Sequence, residues 1–327
     1  MNTRAGWLNR RVLVTGGAGF LGSNLCRTLA SLGAHVTVID SFLFGGGANL
    51  ANLKGVAVEL VRADILEADL RVICEGVEVI FNLAAQTSHM GGQSDPLADL
   101  AVNATAQLRL INAAREAAPQ ALVVHASTRQ FYGKPKYLPV DEDHPIAPPD
   151  SNGISKFAGE QFWMLENRIL QRPVVSLRLT NCYGPGLRIR DARQNFLGLW
   201  IRRVLEGEPF ELWGGDQLRD LAYVDDVVEA FLLAAEKPAC HGEVFNVGGG
   251  ATASLKTIAD TLVRLHGPSA SYIVRDFPAD RARIDIGSFH SQDLAFKRST
   301  GWMPTVTLED GLKRSLAWYE RNLRAYV

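Results

Sequence analysis

Cysteine is scarce in this chain. There are four in 327 residues, Cys26, Cys74, Cys182 and Cys240, and none forms a CxxC pair. That excludes a disulfide framework and a cysteine-built zinc site, so no metal is expected and the thiols read as reduced ones in a cytoplasmic protein. An excess of charge is also missing: 34 Lys+Arg stand against 35 Asp+Glu, for a net charge of -1. Nothing in that balance marks a nucleic-acid binder, and no lysine-rich arm marks a membrane surface. No apolar run reaches the roughly 20 residues of a membrane span. The opening "MNTRAGWLNRRVLVTGG" has no apolar stretch of signal-peptide kind before its first strand. Repeats and low-complexity stretches are absent too. What is present is ordinary globular material, 47% hydrophobic and 21% charged, in a length that suits one large α/β domain with a smaller partner.

The apolar pattern alternates between strand and helix. "RRVLVTGG" reads as a buried strand ending in a tight turn. Leu21, Leu25, Leu29 and Leu32 then share a helix face that Gly33 stops. Further strands are expected at "AHVTVID", "VAVELVRADI", "VEVIFNLAA", "ALVVHAST" and "PVVSLRLT", with helices over 98–116 and 152–170. Such alternation implies right-handed βαβ units, hence a Rossmann-type doubly wound parallel sheet. After Thr180 the rhythm loosens into short strands ("FELWG", "RDLAYV", "EVFNVGG", "SYIVRDF") and helices at 224–236, 253–266 and 307–322. The expected organisation is a nucleotide-binding domain over 1–180 and a smaller mixed α/β substrate-binding region over 181–327, interleaved with the first.

"TGGAGFLG", Thr15 to Gly22, offers two glycine patterns: GxGxxG at Gly17, Gly19 and Gly22, and GxxGxxG at Gly16, Gly19 and Gly22. Glycines there let the backbone turn tightly and approach a pyrophosphate seated on the next helix N-terminus. The pattern follows a strand and opens a helix, the context the motif requires; a plain βα turn is the alternative. Asp40 closes the second strand. A carboxylate there accepts from a ribose 2′-hydroxyl and repels a 2′-phosphate, which favours NAD over NADP.

Together these segments resemble the extended short-chain dehydrogenase/reductase family, in its nucleotide-diphosphate-sugar epimerase/dehydratase branch, over nearly the whole chain. The resemblance implies that Gly16, Gly19, Phe20, Leu21, Gly22 and Asp40 hold NAD. "RADI" places Asp64 and Ile65 at the adenine. "NLAA" puts Leu83, Ala84 and Ala85 under the nicotinamide half, and Asn103 in "AVNATAQ" matches a family asparagine. "STRQFYG" puts Thr128 in the catalytic Ser/Thr place. "RLTNCYGPG" and "LRDLAYVDDVVEA" imply that Asn181 and Arg219 meet the phosphates of a sugar nucleotide, and "STGWMPTVTLEDGL" is similar to the closing helix entry. Gln86 and His89 in "QTSHMGGQSDP", taken as a loop after the fourth strand, should border the sugar, and Arg281 and Arg283 in "DRARIDIG" suit a diphosphate. The family also implies a homodimer through the helices at 98–116 and 153–170, where Phe162, Trp163 and Met164 give more than one apolar face.

Two departures bear on chemistry. The family's Tyr-x-x-x-Lys reads Asn152-Gly-Ile-Ser-Lys156, and the Asp-Glu that dehydratases carry after the threonine reads Arg129-Gln130. In the family mechanism a tyrosinate takes the proton of a sugar hydroxyl while its carbon gives hydride to NAD, and the lysine lowers the tyrosine pKa and holds the ribose. An asparagine amide does not titrate usefully. His89 could accept a proton near neutral pH, or be a surface histidine; His125 on a strand and Cys182 read as packed. Three readings stay open: an NAD-dependent nucleotide-sugar epimerase with C4 as default centre and an altered acid–base residue, a silent NAD and sugar-nucleotide binder, and a dehydratase or other sugar-nucleotide enzyme.

Overall fold

The computed structural model describes residues 5–43, 46–192, 195–278 and 284–327. Seven strands form a parallel sheet: Arg11–Thr15 (β1), His35–Asp40 (β2), Glu59–Arg62 (β3), Val79–Asn82 (β4), Leu122–Thr128 (β5), Val174–Leu179 (β6) and, from the second half of the chain, Val244–Val247 (β10). Their order is β3-β2-β1-β4-β5-β6-β10, so the direction of winding reverses between β1 and β4. Ligands of open parallel sheets bind above the strand ends at such a switch point.

The strands are apolar almost throughout because both faces are covered. Side chains alternate between faces with a period of two. Val12, Val14, Phe81, Val124 and Leu177 point to one side, where Phe20–Ser31 (α1) and Val224–Glu236 (α8) supply Leu25, Leu29 and Phe231. Leu13, Ile80 and Val123 point to the other, onto Leu110 and Ile111 of Ala106–Ala117 (α5) and Trp163 and Met164 of Ser151–Leu170 (α6). A short helix, Leu70–Cys74 (α2), packs on that second side.

The remaining elements build the smaller part. Asn181–Tyr183 (β7), Leu218–Tyr223 (β9) and Thr252–Ser254 (β11) form one small sheet, and Phe210–Trp213 (β8) pairs in parallel with Tyr272–Arg275 (β12). Helices Phe196–Leu205 (α7), Leu255–His266 (α9), Leu294–Thr300 (α10) and Leu308–Asn322 (α11) pack around them. The first-face core is continuous with this part, running from Val12 through Trp200 and Leu262 to Leu316. One side chain fastens several segments. Asn52 donates through Nδ2 to the Ala18 carbonyl at 2.9 Å and the Gly186 carbonyl at 3.4 Å, and its Oδ1 accepts from the Tyr326 hydroxyl.

Three local expectations change. The stretch expected as one helix over 98–116 is Pro96–Leu100 (α4), a π-helical turn at Ala101–Thr105, then α5. Such turns add a residue and re-aim side chains; here α6 comes so close that a Cβ on Gly159 would lie 2.3 Å from the Asn103 carbonyl. The "QTSHMGG" stretch is only partly loop, because His89–Ser94 (α3) starts at the histidine, with Ser88 Oγ capping Gly91 N–H at 3.0 Å. Trp163 and Met164 are buried inside the monomer and Phe162 packs against them, so the outward apolar residues of α4, α5 and α6 are others: Leu97, Leu100, Leu108, Ile154, Leu165, Ile169 and Leu170.

Candidate active site

A cleft of about 1610 Å³ lies above the ends of β1, β4 and β5, lined from both halves of the chain. Its first wall is the turn between β1 and α1. Gly16 holds φ +67°, and a Cβ there would sit 2.9 Å from Ala84 N. A Cβ on Gly22 would lie 2.4 Å from the Gly16 carbonyl. Gly16, Gly19 and Gly22 face the cleft, whereas Gly17 does not line it and packs on Val38. The GxxGxxG spacing is therefore the one that shapes the wall. Among the described residues no side chain caps the N-terminus of α1, which leaves its leading N–H groups, at Phe20 and Leu21, facing the cleft as an anion seat.

Asp40 lines the cleft at the end of β2. Its Oδ2 accepts from Ala18 N–H at 3.0 Å and its Oδ1 from Phe42 N–H at 3.1 Å. Burial raises the carboxyl pKa against those two donors. Asp64 and Ile65 line the next strand end, Asp64 Oδ1 accepting from Leu66 N–H at 2.8 Å. Leu83, Ala84 and Ala85 follow β4; Thr15 Oγ1 accepts from Leu83 and Ala84 N–H at 3.1 and 3.0 Å. These residues fit a dinucleotide: a glycine cradle that a Cβ would fill, an uncapped helix start, and a carboxylate closing the neighbouring strand.

Asn103 does not line the cleft. It is buried behind it, with Oδ1 accepting from Gln86 N–H at 3.0 Å and Nδ2 donating to the Gln86 carbonyl at 3.2 Å. Asn152 lines the cleft, and its side chain is turned into the same wall. Its Nδ2 donates to that same carbonyl at 3.0 Å and to Asp99 Oδ1 at 2.8 Å, while its buried Oδ1 has no partner among the described residues. Lys156, one turn along α6, lines the cleft; burial lowers its pKa to about 8, opposed by the Asp99 carboxylate. Thr128 ends β5 in the cleft, its Oγ1 accepting from Gln130 N–H at 3.1 Å.

Beside the threonine, the Gln130 amide donates to Asp150 Oδ2 at 3.1 Å. Asp150 is the N-cap of α6, its Oδ1 accepting from Gly153 N–H at 2.7 Å. The same Oδ2 lies 2.9 Å from His89 Nδ1, with the ring turned off the line of a hydrogen bond. Burial pushes the Asp150 pKa up, but His89, Gly153 N–H and the Gln130 amide outweigh it and hold the carboxyl below its usual range. Gln86 and His89 both line the cleft.

On the substrate side, Asn181 Oδ1 accepts from Arg129 Nη2, while Arg129 Nη1 is buried without a partner among the described residues. Burial, then neighbouring Arg219, lowers the Arg129 pKa to about 10. Arg219 donates to the Gly287 carbonyl at 2.7 Å and pairs with Asp285 at 3.2 Å. Both arginines face the cleft. Arg281 and Arg283 lie outside the described residues. His125 is buried on β5, and Cys182, which lines the cleft, has its thiol pushed up to about 12 by burial. Sequence reasoning did not single out Asp150 or Asp99. Asp150 carried a signal in its N-cap position before a helical run; Asp99 carried none.

Comparison with known proteins agrees with this geometry. The model of the "NAD dependent epimerase/dehydratase family" matches residues 12–248. A putative UDP-glucose 4-epimerase of Methanocaldococcus jannaschii is 31% identical over 319 residues, 96% of this chain and 99% of the relative. The structure of the UDP-glucose 4-epimerase of Thermotoga maritima with UDP-glucose superposes with a TM-score of 0.88 at 28% identity, covering 96% of this chain and 99% of that one. The UDP-glucuronic acid 4-epimerase of Bacillus cereus, solved with UDP-glucuronic acid and NAD, gives 0.84 at 27% identity over 95% and 99%. The glycine cradle, the Asp40 strand end and these full-length likenesses lead to one conclusion: the chain belongs to the NAD dependent epimerase/dehydratase family.

Proposed function

We propose that this protein is an NAD-dependent epimerase of a nucleotide-diphosphate sugar, oxidising a sugar carbon, C4 by default, and reducing it again, with its acid–base work moved away from position 152. The carrying observation is that one cleft joins the dinucleotide wall to Thr128, Lys156, Asn181 and Arg219.

NAD supplies the hydride acceptor and donor. In this reading Gly16, Gly19, Phe20, Leu21 and Gly22 hold its pyrophosphate, Asp40 its adenosine ribose, Asp64 and Ile65 its adenine, and Leu83, Ala84, Ala85 and Lys156 its nicotinamide half. Asn103 acts from behind, by fixing the Gln86 backbone. Thr128 orients the reacting hydroxyl, Asn181 and Arg219 bind the diphosphate, and Gln86 and His89 border the sugar. Asn152 serves as a fixed bracket that ties α6 to the Gln86 backbone and to Asp99. The two chains of a homodimer meet on the outward apolar stripe of α6 and its neighbours. Four free thiols suit a reducing cytoplasm, and among the described residues no helix is long and apolar enough to cross a membrane.

Product analysis by NMR tests the reading. The protein is incubated with NAD and a panel of UDP-, dTDP-, CDP- and GDP-hexoses and uronic acids, beside Asn152→Tyr. A new epimer from the unmodified protein is expected. Tight binding without product, and product from the tyrosine variant alone, would make it a silent binder instead.

A further inference from the structure

We propose that His89 is the acid–base residue of this site and that Asp150 is the residue that positions it. The inference rests on the epimerase reading above and assigns the function that Asn152 cannot perform.

The geometry points to a substitution shared by several residues. Asn152 spends both amide hydrogens on the Gln86 carbonyl and on Asp99, and so is tied to the wall. Around the same place runs a chain of contacts that begins at Thr128. Its Oγ1 accepts from Gln130 N–H, the Gln130 amide donates to Asp150 Oδ2, and that oxygen meets His89 Nδ1 at 2.9 Å. Histidine and threonine both line the cleft. The Asp150 side chain is fully buried, while that of His89 is 39% exposed.

A buried carboxylate at Nδ1 selects the tautomer that carries its proton there. A small ring rotation aligns that N–H, and Nε2 is left bare as a base. The arrangement also accounts for Gln130. A glutamate there would set a second carboxylate against Asp150, and like charges at that distance cannot both stay ionised. The amide donates instead, and Asp150 stays charged. The departures at 130 and 152 thus belong to one cluster.

In the proposed step the sugar's C–H hydride leaves to the oxidised dinucleotide, the O–H bond breaks, and C=O forms. The hydroxyl proton goes to His89 Nε2, giving an imidazolium beside the Asp150 carboxylate. Return of the hydride to the other face of the ketone takes the same proton back, so neither proton nor electron is gained overall.

The test reads the ring directly. Protein labelled with 15N-histidine is examined by long-range 1H–15N correlation at mildly alkaline pH, the His89 signals being those lost in His89→Gln. The expected spectrum shows the Nδ1–H tautomer, with an Nε2 shift that moves on adding a UDP-hexose with NAD and not on adding UDP with NAD. Asp150→Asn keeps a capping oxygen for α6 but should flip the tautomer and lower kcat by roughly 10²–10⁴-fold with little change in KM. His89→Gln should lower kcat by at least about 10²-fold. An Nε2–H tautomer in the unmodified protein, equal shifts with UDP and UDP-hexose, or undiminished kcat in His89→Gln overturns the assignment while sparing the epimerase reading. Failure of the unmodified protein to bind any sugar nucleotide of the UDP-, dTDP-, CDP- and GDP-panel removes both.

Discussion

Acid acts directly on His125. Asn82 Nδ2, which only donates, approaches its Nδ1 at 3.0 Å, so the ring must be neutral there. Burial lowers its pKa from 6.5 to about 4, with Glu160 pulling it up and Lys156 pushing it down. An unfolded chain takes up this proton near pH 6.5 and the folded one only near 4. Between those values the folded state holds fewer protons and loses stability as pH falls. The loss is on the order of 2 kcal/mol by pH 5. Urea unfolding at pH 7 and pH 5 should therefore show the unmodified protein losing more than His125→Gln by about that amount; equal losses would place the acid sensitivity elsewhere. At this scale the sequence was legible where chemistry is local. The glycines and Asp40 sit on one strand–turn–helix unit and its neighbour. The approach of His89 to Asp150 joins residues far apart in the chain, and no spacing rule reaches that far.

Among the elements, α6 carries the most geometry, because Asn152, Lys156 and Glu160 all leave it for the cleft or the sheet. Glu160 accepts from Arg178 Nη2 at 2.7 Å and from Ser127 Oγ at 2.6 Å, which fixes the helix against β5 and β6. Its other side rests on the π-helical turn, and Gly159 is the point of contact. Gly159→Ala should push the helix away, costing about 1–3 kcal/mol as overpacking does and moving Lys156 with it. Thermal melting should fall, and NAD titration by fluorescence should show weaker binding; unchanged values for both would mean the close approach is not needed. The strands of the sheet were readable as uninterrupted apolar runs, since a covered parallel sheet asks for little else. α3 was not, because Gly91 and Gly92 argue against helix while the Ser88 cap and neighbouring helices decide for it. The π turn has no signature in composition at all.

The whole molecule presents an apolar stripe on one side. Ile154 is 58% exposed, Leu165 39% and Ile169 66%, spaced along one face of α6, beside Leu97, Leu100 and Leu108. Light scattering should give the mass of two chains, and Ile154→Glu with Leu165→Glu should give one chain with an unchanged near-ultraviolet spectrum. A single-chain mass from the unmodified protein would refute the dimer. The two-part organisation was legible in the change of rhythm after Thr180, but the return of β10 to the large sheet was not, because nothing in a short apolar run says which edge it will join. Asn52 bears on how such a molecule can move. Its amide works like a rivet through three plates, the glycine turn at Ala18, the loop at Gly186 and the tail at Tyr326. Swinging the plates open at that corner, like the covers of a book, means breaking all three hydrogen bonds at about 1 kcal/mol each, so the rivet favours the closed arrangement by a few kcal/mol and a hinge there opens only against that cost.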